Sequence, residues 1–333
     1  MNTQIAVSVV IVNYKSAVFT RECLHTIFAN ADRLTPEVIV VDNASFDGCG
    51  AMIAAEFPAV TFIQEEKNLG FAGANNLGAK VSRGRHILFL NPDTEIQGTA
   101  IETLVKALES TPDAGMAGAR LLNTDLTVQT SSITAFPSIL NQILGTEYLR
   151  TRFPRASLWG MRALFENHPS PVAVDAISGA CMLIRRDLFE QIGGFTVDYF
   201  MYAEDLDLCL KVRKGGWGVY YVPSAVIVHH GGQSSSARPE NNYADIMIRQ
   251  SVLSFMRMYR GSWYAWLYRF ATGISALCRI AMIAVTLPVS LGHERKATLL
   301  RAWRKWSSIF SWCLGIRSWA SRERMPRPTA TNA

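Results

Sequence analysis

No Cys-x-x-Cys pair occurs in the chain: Cys23, Cys49, Cys181, Cys209, Cys278 and Cys313 lie far apart. That spacing excludes a zinc knuckle and a disulfide framework, and it fits a reducing compartment. No Gly-x-Gly-x-x-Gly follows the first predicted strand, which argues against a dinucleotide dehydrogenase. No Gly-x-x-x-x-Gly-Lys-Ser/Thr occurs, so a P-loop is out as well. A nucleotidyltransferase would want a glycine-rich, basic loop at this place, and Asn13-Tyr14-Lys15-Ser16 is not one. The N-terminus has no basic n-region and no cleavage site, so no signal peptide is expected.

What remains is a chain of 333 residues, enough for one large α/β domain plus an appendage. Its net charge of +6 hides an asymmetry. Residues 257–333 hold 13 of the 33 basic residues but only two of the 27 acidic ones, Glu294 and Glu323. The rest therefore sets 20 basic against 25 acidic residues, a net −5. An acidic body with a basic tail points to a tail that meets an anionic surface.

The body alternates strands with helices. Residues 5–12 form a near-continuous β-branched run, as a strand buried on both faces requires. Further strands are expected at 37–41, 60–64, 86–90 and 115–122, with helices at 17–30, from 45 to 57, from the glycine-punctuated run 68–76 onward, and at 99–110. This order predicts a doubly wound, mostly parallel sheet, whose ligands sit beyond the carboxyl ends of the strands. Asn13, Asp42 and Asp93 all occupy such ends. The stretch 123–170, broken by Phe153-Pro154, His168-Pro169 and Ser170-Pro171, reads as an insertion shaping one side of the site. Strands then resume at 172–177, 181–184, 219–222 and 225–228.

Between them lies Glu204-Asp205-Leu206-Asp207, three carboxylates in four positions at a helix start. On a helical wheel Glu204, Asp207, Lys211 and Lys214 share a polar face, with Asp207 and Lys211 placed to pair, while Asp205 falls inside the apolar arc. An acid favoured by the helix dipole accounts for Glu204 and Asp207. A general base lining a pocket accounts better for Asp205, and the two readings stay open. Asp93 is either a turn former or a ligand for Mg²⁺ or Mn²⁺. Asp42 either accepts a hydrogen bond from a nucleotide base or caps the helix that follows. His229 and His230 end a strand and point to opposite faces, so one at most faces a site. The run after them, through Ser234–Ser236, reads as a lid.

As an ordered set, the motifs resemble glycosyltransferase family 2, with its GT-A fold, and within it the bacterial rhamnosyltransferase-like branch. The resemblance spans residues 5–260. It rests on Val-Ser-Val-Val-Ile-Val-Asn-Tyr (7–14), Val-Val-Asp-Asn-Ala-Ser (40–45), Asn-Leu-Gly-Phe-Ala-Gly-Ala-Asn-Asn (68–76) and Leu-Asn-Pro-Asp-Thr-Glu (90–95). Ser-Gly-Ala-Cys-Met-Leu-Ile-Arg-Arg (178–186), Ile-Gly-Gly-Phe (192–195), Phe-Met-Tyr-Ala-Glu-Asp-Leu-Asp-Leu (200–208) and His-His-Gly-Gly-Gln-Ser (229–234) complete it. The resemblance implies Asn13, Asp42, Asn68, Asn76 and Asp93 on the nucleotide-sugar side, and Ser178, Gly179 and Ala180 on the acceptor side. It implies Asp205 as catalytic base with Glu204 as the fallback, and Asp93 and His229 as ligands of Mg²⁺ or Mn²⁺. Two departures stand out: Asn91 replaces a second Asp, and Phe195-Thr196-Val197-Asp198 stands where Phe-Asp-Glu is usual. The Gln-x-x-Arg-Trp signature of processive synthases is absent after Gln250, which favours addition of one or a few sugars.

The expected activity is inverting, metal-dependent transfer, with rhamnose from dTDP-rhamnose the best reading, onto a saccharide hydroxyl carried on a polyprenyl diphosphate. The rivals are UDP-galactose, UDP-galactofuranose or UDP-N-acetylglucosamine as donor, or a catalytically silent sugar-nucleotide-binding scaffold. The expected domains are 1–256, split into a nucleotide-sugar half (1–122) and an acceptor half (123–256), then a basic amphipathic tail (257–320) and a flexible end (321–333). In the tail, Leu299, Trp303, Trp306, Phe310 and Cys313 line one helical face, with Arg301, Arg304 and Lys305 opposite. That pattern suits an interfacial helix on anionic lipid, on the cytoplasmic face of the inner membrane. A helix pair packed on the catalytic domain, or a homo-oligomer interface, is the competing reading. Nucleic-acid binding is not expected, since no recognisable module accompanies the charge.

Overall fold

The computed structural model describes residues 5–30, 34–199, 201–231, 243–289 and 292–316. The Ser234–Ser236 lid and the end at 321–333 lie outside the described residues. The chain divides into two compact units, Met1–Pro239 and Glu240–Ala333.

The first unit runs β1 (Val7–Asn13), α1 (Ala17–Ala29), β2 (Glu37–Asn43), α2 (Cys49–Glu56), β3 (Thr61–Glu65), α3 (Gly70–Val81), β4 (His86–Leu90), β5 (Thr94–Ile96), α4 (Ala100–Ser110) and β6 (Ala114–Leu122). The insertion holds β7 (Ile133–Thr134), α5 (Ile139–Leu144), α6 (Glu147–Arg152) and two short 3₁₀ turns. Then come β8 (Val172–Ala173), β9 (Ala176–Ile177), β10 (Cys181–Arg185), α7 (Arg186–Gln191), α8 (Glu204–Lys214) and β11 (Gly218–His229).

The main sheet has the order β3-β2-β1-β4-β10-β6-β11-β5, with β8 also paired to β11. Its first four strands are parallel, as the β-branched runs predict. Every residue of β1 and β4 is buried, so both faces must be apolar. The other half is mixed rather than parallel. β10 is antiparallel to β4 and β6 because it enters the sheet from the insertion, not through a helical crossover. β11 is parallel to β6, but its register slips between Val222 and Val226, where Pro223 has no N–H to give the ladder. α3 lies so close on the sheet that a Cβ at Gly78 would come within 2.4 Å of Val10 Cγ1. On the other face, Leu104 and Leu108 of α4 are fully buried, each removal from water worth about 2 kcal/mol.

The second unit contains α9 (Tyr243–Val289) and α10 (His293–Cys313). α9 is two helices joined across a kink at Gly261, whose φ of 84° is non-helical. The unit starts earlier than the expected boundary at 256/257 because the helix from Tyr243 belongs with α10. Asp245 pairs with Lys305 at 2.8 Å, and Gln250 accepts the Trp312 indole N–H at 3.0 Å. The edge residues expected on α10, Leu299, Trp303, Trp306, Phe310 and Cys313, are half-buried, and Trp312 beside them is buried. The Arg279 guanidinium sits 4.3 Å from the Trp306 ring centre, and Arg269 donates to the Trp312 and Cys313 carbonyls at the end of α10. Those contacts draw both arginines off the outer face of α9. What α9 leaves exposed is an apolar stripe, in which Trp263, Trp266 and Phe270 stack in sequence, centroids 5.1 and 5.4 Å apart.

Candidate active site

Two loops leave the sheet at β1 and β2, and one buried amide locks them together. Asn13 Nδ2 donates to Asp42 Oδ1 (3.2 Å), Ser45 Oγ (3.3 Å) and Asp47 Oδ1 (3.1 Å), while its Oδ1 accepts from Ser16 and Thr20. Fully buried and spent on these contacts, Asn13 positions the loops rather than touching a ligand. Asp42 accepts the Ser45 and Phe46 N–H groups, an Asx turn that shapes the start of the α2 connection. Asp47, which the motif reading passed over, accepts the Ala17 and Cys49 N–H groups at the starts of α1 and α2. Its sequence signal is the Asp-Gly turn it forms with Gly48. Lys15, Ala44 and Phe46 all hold positive φ here, a concentration of strain typical of a ligand-facing edge.

Asn68 and Asn76 also organise backbone. Asn68 Oδ1 accepts the Gly70 N–H at 2.8 Å and the Asn43 amide at 3.0 Å, fixing the start of α3. Asn76 grips both backbone polar groups of Phe195 at 2.9 Å, tying α3 to the segment that leads into α8.

Asp93 and His229 meet beyond β4 and β11. Asp93 Oδ1 lies 3.4 Å from His229 Nε2, and Asp93 is buried. Gln129 decides how the ring is protonated. Its amide nitrogen donates to Asn123 Oδ1 and to the His229 carbonyl, so its Oε1 must face His229 Nδ1, at 2.8 Å. Nδ1 therefore carries a proton, and Nε2 is the ring nitrogen that faces the Asp93 carboxylate. A carboxylate and a ring nitrogen facing each other are ligand types that a cation can share, and a ring N–H held by a carbonyl oxygen is the usual outer support of a metal-binding histidine. Asn91, in place of the second acid, has its amide 3.4 Å from Nε2. Among the described residues no group of three His, Cys, Asp or Glu side chains gathers to hold a metal. One carboxylate and one imidazole still suit Mg²⁺ or Mn²⁺, which leave most positions to water and substrate phosphates. His230 points the other way, to Glu95 at 2.6 Å, as strand alternation requires.

The acceptor-side turn sits at the same end of the sheet. The Asn91 N–H donates to the Ala180 carbonyl at 3.0 Å, and the Gly179 N–H donates to Asp205 Oδ2 at 3.1 Å. Ser178 is held through its own N–H to Ser132 O, and its Oγ accepts the Ala180 N–H. Two hydrogen-bonded steps thus join the strand end that carries Asp93 to the start of α8.

Around α8 the helical wheel is corrected. Glu204 and Asp207 are the buried acids, 7% and 0% exposed, and Asp205 is the partly exposed one. The segment before the helix folds over the face that the wheel gave to solvent. Asp207 accepts Thr196 Oγ1 (2.6 Å) and Tyr199 OH (3.2 Å), and its expected pair with Lys211 forms at 3.4 Å beneath that segment. Tyr202 and Ala203, both at φ 69°, make the sharp entry that aims Asp205 at Gly179. Burial raises the Glu204 carboxyl well above the ordinary carboxylate range, and the neighbouring Asp205 charge adds to the shift. Among the described residues Glu204 Oε2 has no hydrogen-bond partner. Burial raises Asp205 too, opposed by the Gly179 and Leu206 N–H groups it accepts. Burial thus raises both carboxyls of the pair, and the Gly179 and Leu206 N–H groups favour the ionised form of Asp205. The buried thiols are no rival nucleophiles: burial pushes Cys23, Cys49 and Cys181 up to about 12.

Residues 8–193 match the Glycosyl transferase family 2 model. The chain belongs to glycosyltransferase family 2. Among its relatives is the N-acetylglucosaminyl-diphospho-decaprenol L-rhamnosyltransferase of Mycobacterium tuberculosis, 32% identical over 222 residues, which cover 62% of this chain and 70% of that one. Rhamnosyltransferase WbbL of Escherichia coli K12 is 29% identical over 172 residues, 48% of this chain and 61% of that protein. In fold, the chain is similar to a mannosyltransferase of Pyrobaculum calidifontis solved with GDP-Man and Mn²⁺, with a TM-score of 0.56, 20% identity, and 97% and 89% of the two chains covered. These matches make the protein a glycosyltransferase of GT-A fold.

In this transferase the Glu204 carboxyl is expected to set part of the pH dependence of stability. A carboxyl whose folded value is raised holds its proton more tightly when folded, so stability falls as pH climbs from the ordinary carboxylate range through the raised value. Glu204→Gln, isosteric with the neutral acid, should flatten that fall. Thermal midpoints taken from about pH 5 to about pH 9 check it; parallel curves for the two proteins would remove Glu204 as the titrating group.

Proposed function

We propose that the protein transfers one sugar, with inversion, from a nucleotide-diphosphate donor to a hydroxyl of a saccharide carried on a polyprenyl diphosphate. The proposed donor is dTDP-rhamnose, in keeping with the two rhamnosyltransferase relatives. The observation that carries this reading is Asp205, partly exposed at the end of the sheet, beside the buried Glu204 and oriented by the Gly179 N–H. Asp205 takes the proton of the acceptor hydroxyl as that oxygen attacks the anomeric carbon, and the bond to the donor diphosphate breaks on the opposite side. Asp93 and His229 would hold Mg²⁺ or Mn²⁺, which when bound neutralises charge on the departing diphosphate. Asn13, Asp47, Asn68 and Asn76 keep the loops around the donor rigid, and Asp42 faces the nucleotide base. A panel of dTDP-rhamnose, UDP-galactose, UDP-galactofuranose and UDP-N-acetylglucosamine, each with Mn²⁺, tests the donor by thermal shift. dTDP-rhamnose should raise the midpoint most; a larger shift with a UDP-sugar would replace it.

Gly179 gives a test of the acceptor side. A Cβ there would lie 3.4 Å from Asp205 Cβ and 3.6 Å from Asp205 Oδ2, ordinary contact that the fold tolerates. Gly179→Ala should keep the wild-type thermal midpoint and donor affinity while raising the acceptor KM several-fold. An unchanged acceptor KM would move the acceptor away from this turn.

The exposed stripe of α9 supports a seat on the cytoplasmic membrane face. The helix Ala244–Pro288 is long and apolar enough to cross a bilayer by length and composition. The basic charge of α10 and the inward arginines favour an interfacial placement. Trp263, at 73% exposure, Trp266 and Phe270 would each contribute about 1.5–3 kcal/mol on leaving water. Replacing all three by Ser should move the full chain from anionic vesicles to the supernatant in a flotation assay, and undiminished flotation would remove this role.

A further inference from the structure

The insertion between β6 and β8 carries a feature that glycosyl transfer at Asp205 does not use. α5 and α6 contain no buried residue, so both lie on the surface, and they leave Leu140, Leu144, Tyr148 and Phe153 exposed. Directly after α6, Arg152, Phe153, Pro154, Arg155, Ala156 and Phe165 line an open groove of about 520 Å³. Its walls are braced from behind. The buried Trp159 donates its indole N–H to the Phe153 carbonyl at 3.0 Å, and Arg155 donates to the Phe165 carbonyl at 3.1 Å. Arg152 lies 5.3 Å from the Phe153 ring centre. No acidic side chain lines the groove, and among the described residues neither arginine is paired with a carboxylate.

We propose that this groove binds the diphosphate and the first isoprenoid units of the lipid-linked acceptor, an inference that rests on the acceptor reading above. Three observations select that occupant. Two arginines lining one groove, neither paired with a carboxylate among the described residues, match a diphosphate, for which arginine forks are well suited. Phenylalanine and proline walls, with Leu140, Leu144 and Tyr148 exposed on the two helices that precede the groove in the chain, offer hydrocarbon an apolar surface that a nucleotide would not need. The groove is also tied to the acceptor turn. The Ala135 N–H donates to the Trp159 carbonyl, β7 pairs with β9, and β9 leads into Ser178-Gly179, whose N–H holds Asp205. A saccharide linked to a diphosphate held here extends toward the base.

Calorimetry on the full chain tests this with farnesyl diphosphate as the probe, against farnesol and inorganic diphosphate. Farnesyl diphosphate should bind tighter than either fragment, and Arg152→Glu/Arg155→Glu should weaken it at least tenfold. Arg152→Glu alone, at an exposed position with no carbonyl partner, should weaken it several-fold and guards against a folding defect in the pair. Equal affinity in wild type and variants overturns the proposal. So does binding that follows phosphatidylglycerol vesicles with no preference for farnesyl diphosphate, which would make the groove a membrane contact. Stabilisation by a nucleotide sugar, read in parallel on both variants, should be unchanged. Its absence in the wild type would sink the transferase reading without touching the farnesyl diphosphate result.

Discussion

Asp205→Asn is expected to lose about 10²–10⁴-fold in kcat while binding its nucleotide-sugar donor as wild type does. The reason lies in what the substitution keeps. Asparagine preserves size and can still accept the Gly179 N–H through its carbonyl oxygen, so the entry to α8 and the acceptor turn stay in place. What disappears is the carboxylate whose ionised form the Gly179 and Leu206 N–H groups favour, while the Glu204 carboxyl is raised by burial. Without it the acceptor oxygen must attack while still protonated. Single-turnover product formation, set beside donor titration by calorimetry, separates the two effects. A variant with near-normal turnover would transfer the role to Glu204 or to a residue outside α8.

Asp93→Ala should abolish the dependence of donor binding on Mg²⁺ or Mn²⁺. Among the described residues Asp93 is the sole carboxylate facing His229 Nε2, and the ring's other nitrogen is committed to Gln129. Removing it leaves one imidazole, too little to hold a hard cation that prefers oxygen ligands. Donor affinity with metal should fall at least tenfold, to the value wild type shows in chelator, because the diphosphate charge is then uncompensated. Calorimetry with and without Mn²⁺ reads both numbers. If the metal still tightens donor binding in Asp93→Ala, the cation is held elsewhere.

The parallel half of the sheet was legible because strands buried on both faces must be unbroken apolar runs, and Val7–Asn13 and His86–Leu90 are such runs. The strand-end positions of Asp42, Asp93 and His229 followed from the same reading. α8 was harder. A helical wheel assumes that the polar face meets water, and it cannot register that residues 194–199 fold back to give Asp207 two hydroxyl donors. The sorting of its acids was therefore inverted for burial, although Asp205 remained the one turned to the acceptor turn. A wheel likewise gives no sign that Trp306 and Trp312 of α10 pack with arginines of α9. Gln129 left no local signal at all. Its role exists only because β11 returns His229 beside it, a hundred residues later in the chain.

The measurement that bears most directly on the account is the mass of a polyprenyl-diphosphate-linked saccharide after incubation with the protein, dTDP-rhamnose and Mn²⁺. The account predicts an acceptor heavier by one deoxyhexose, joined through an inverted anomeric centre, with release of the nucleoside diphosphate. An unmodified acceptor with this donor and with every UDP-sugar of the panel, from protein that is folded and binds nucleotide, would contradict it.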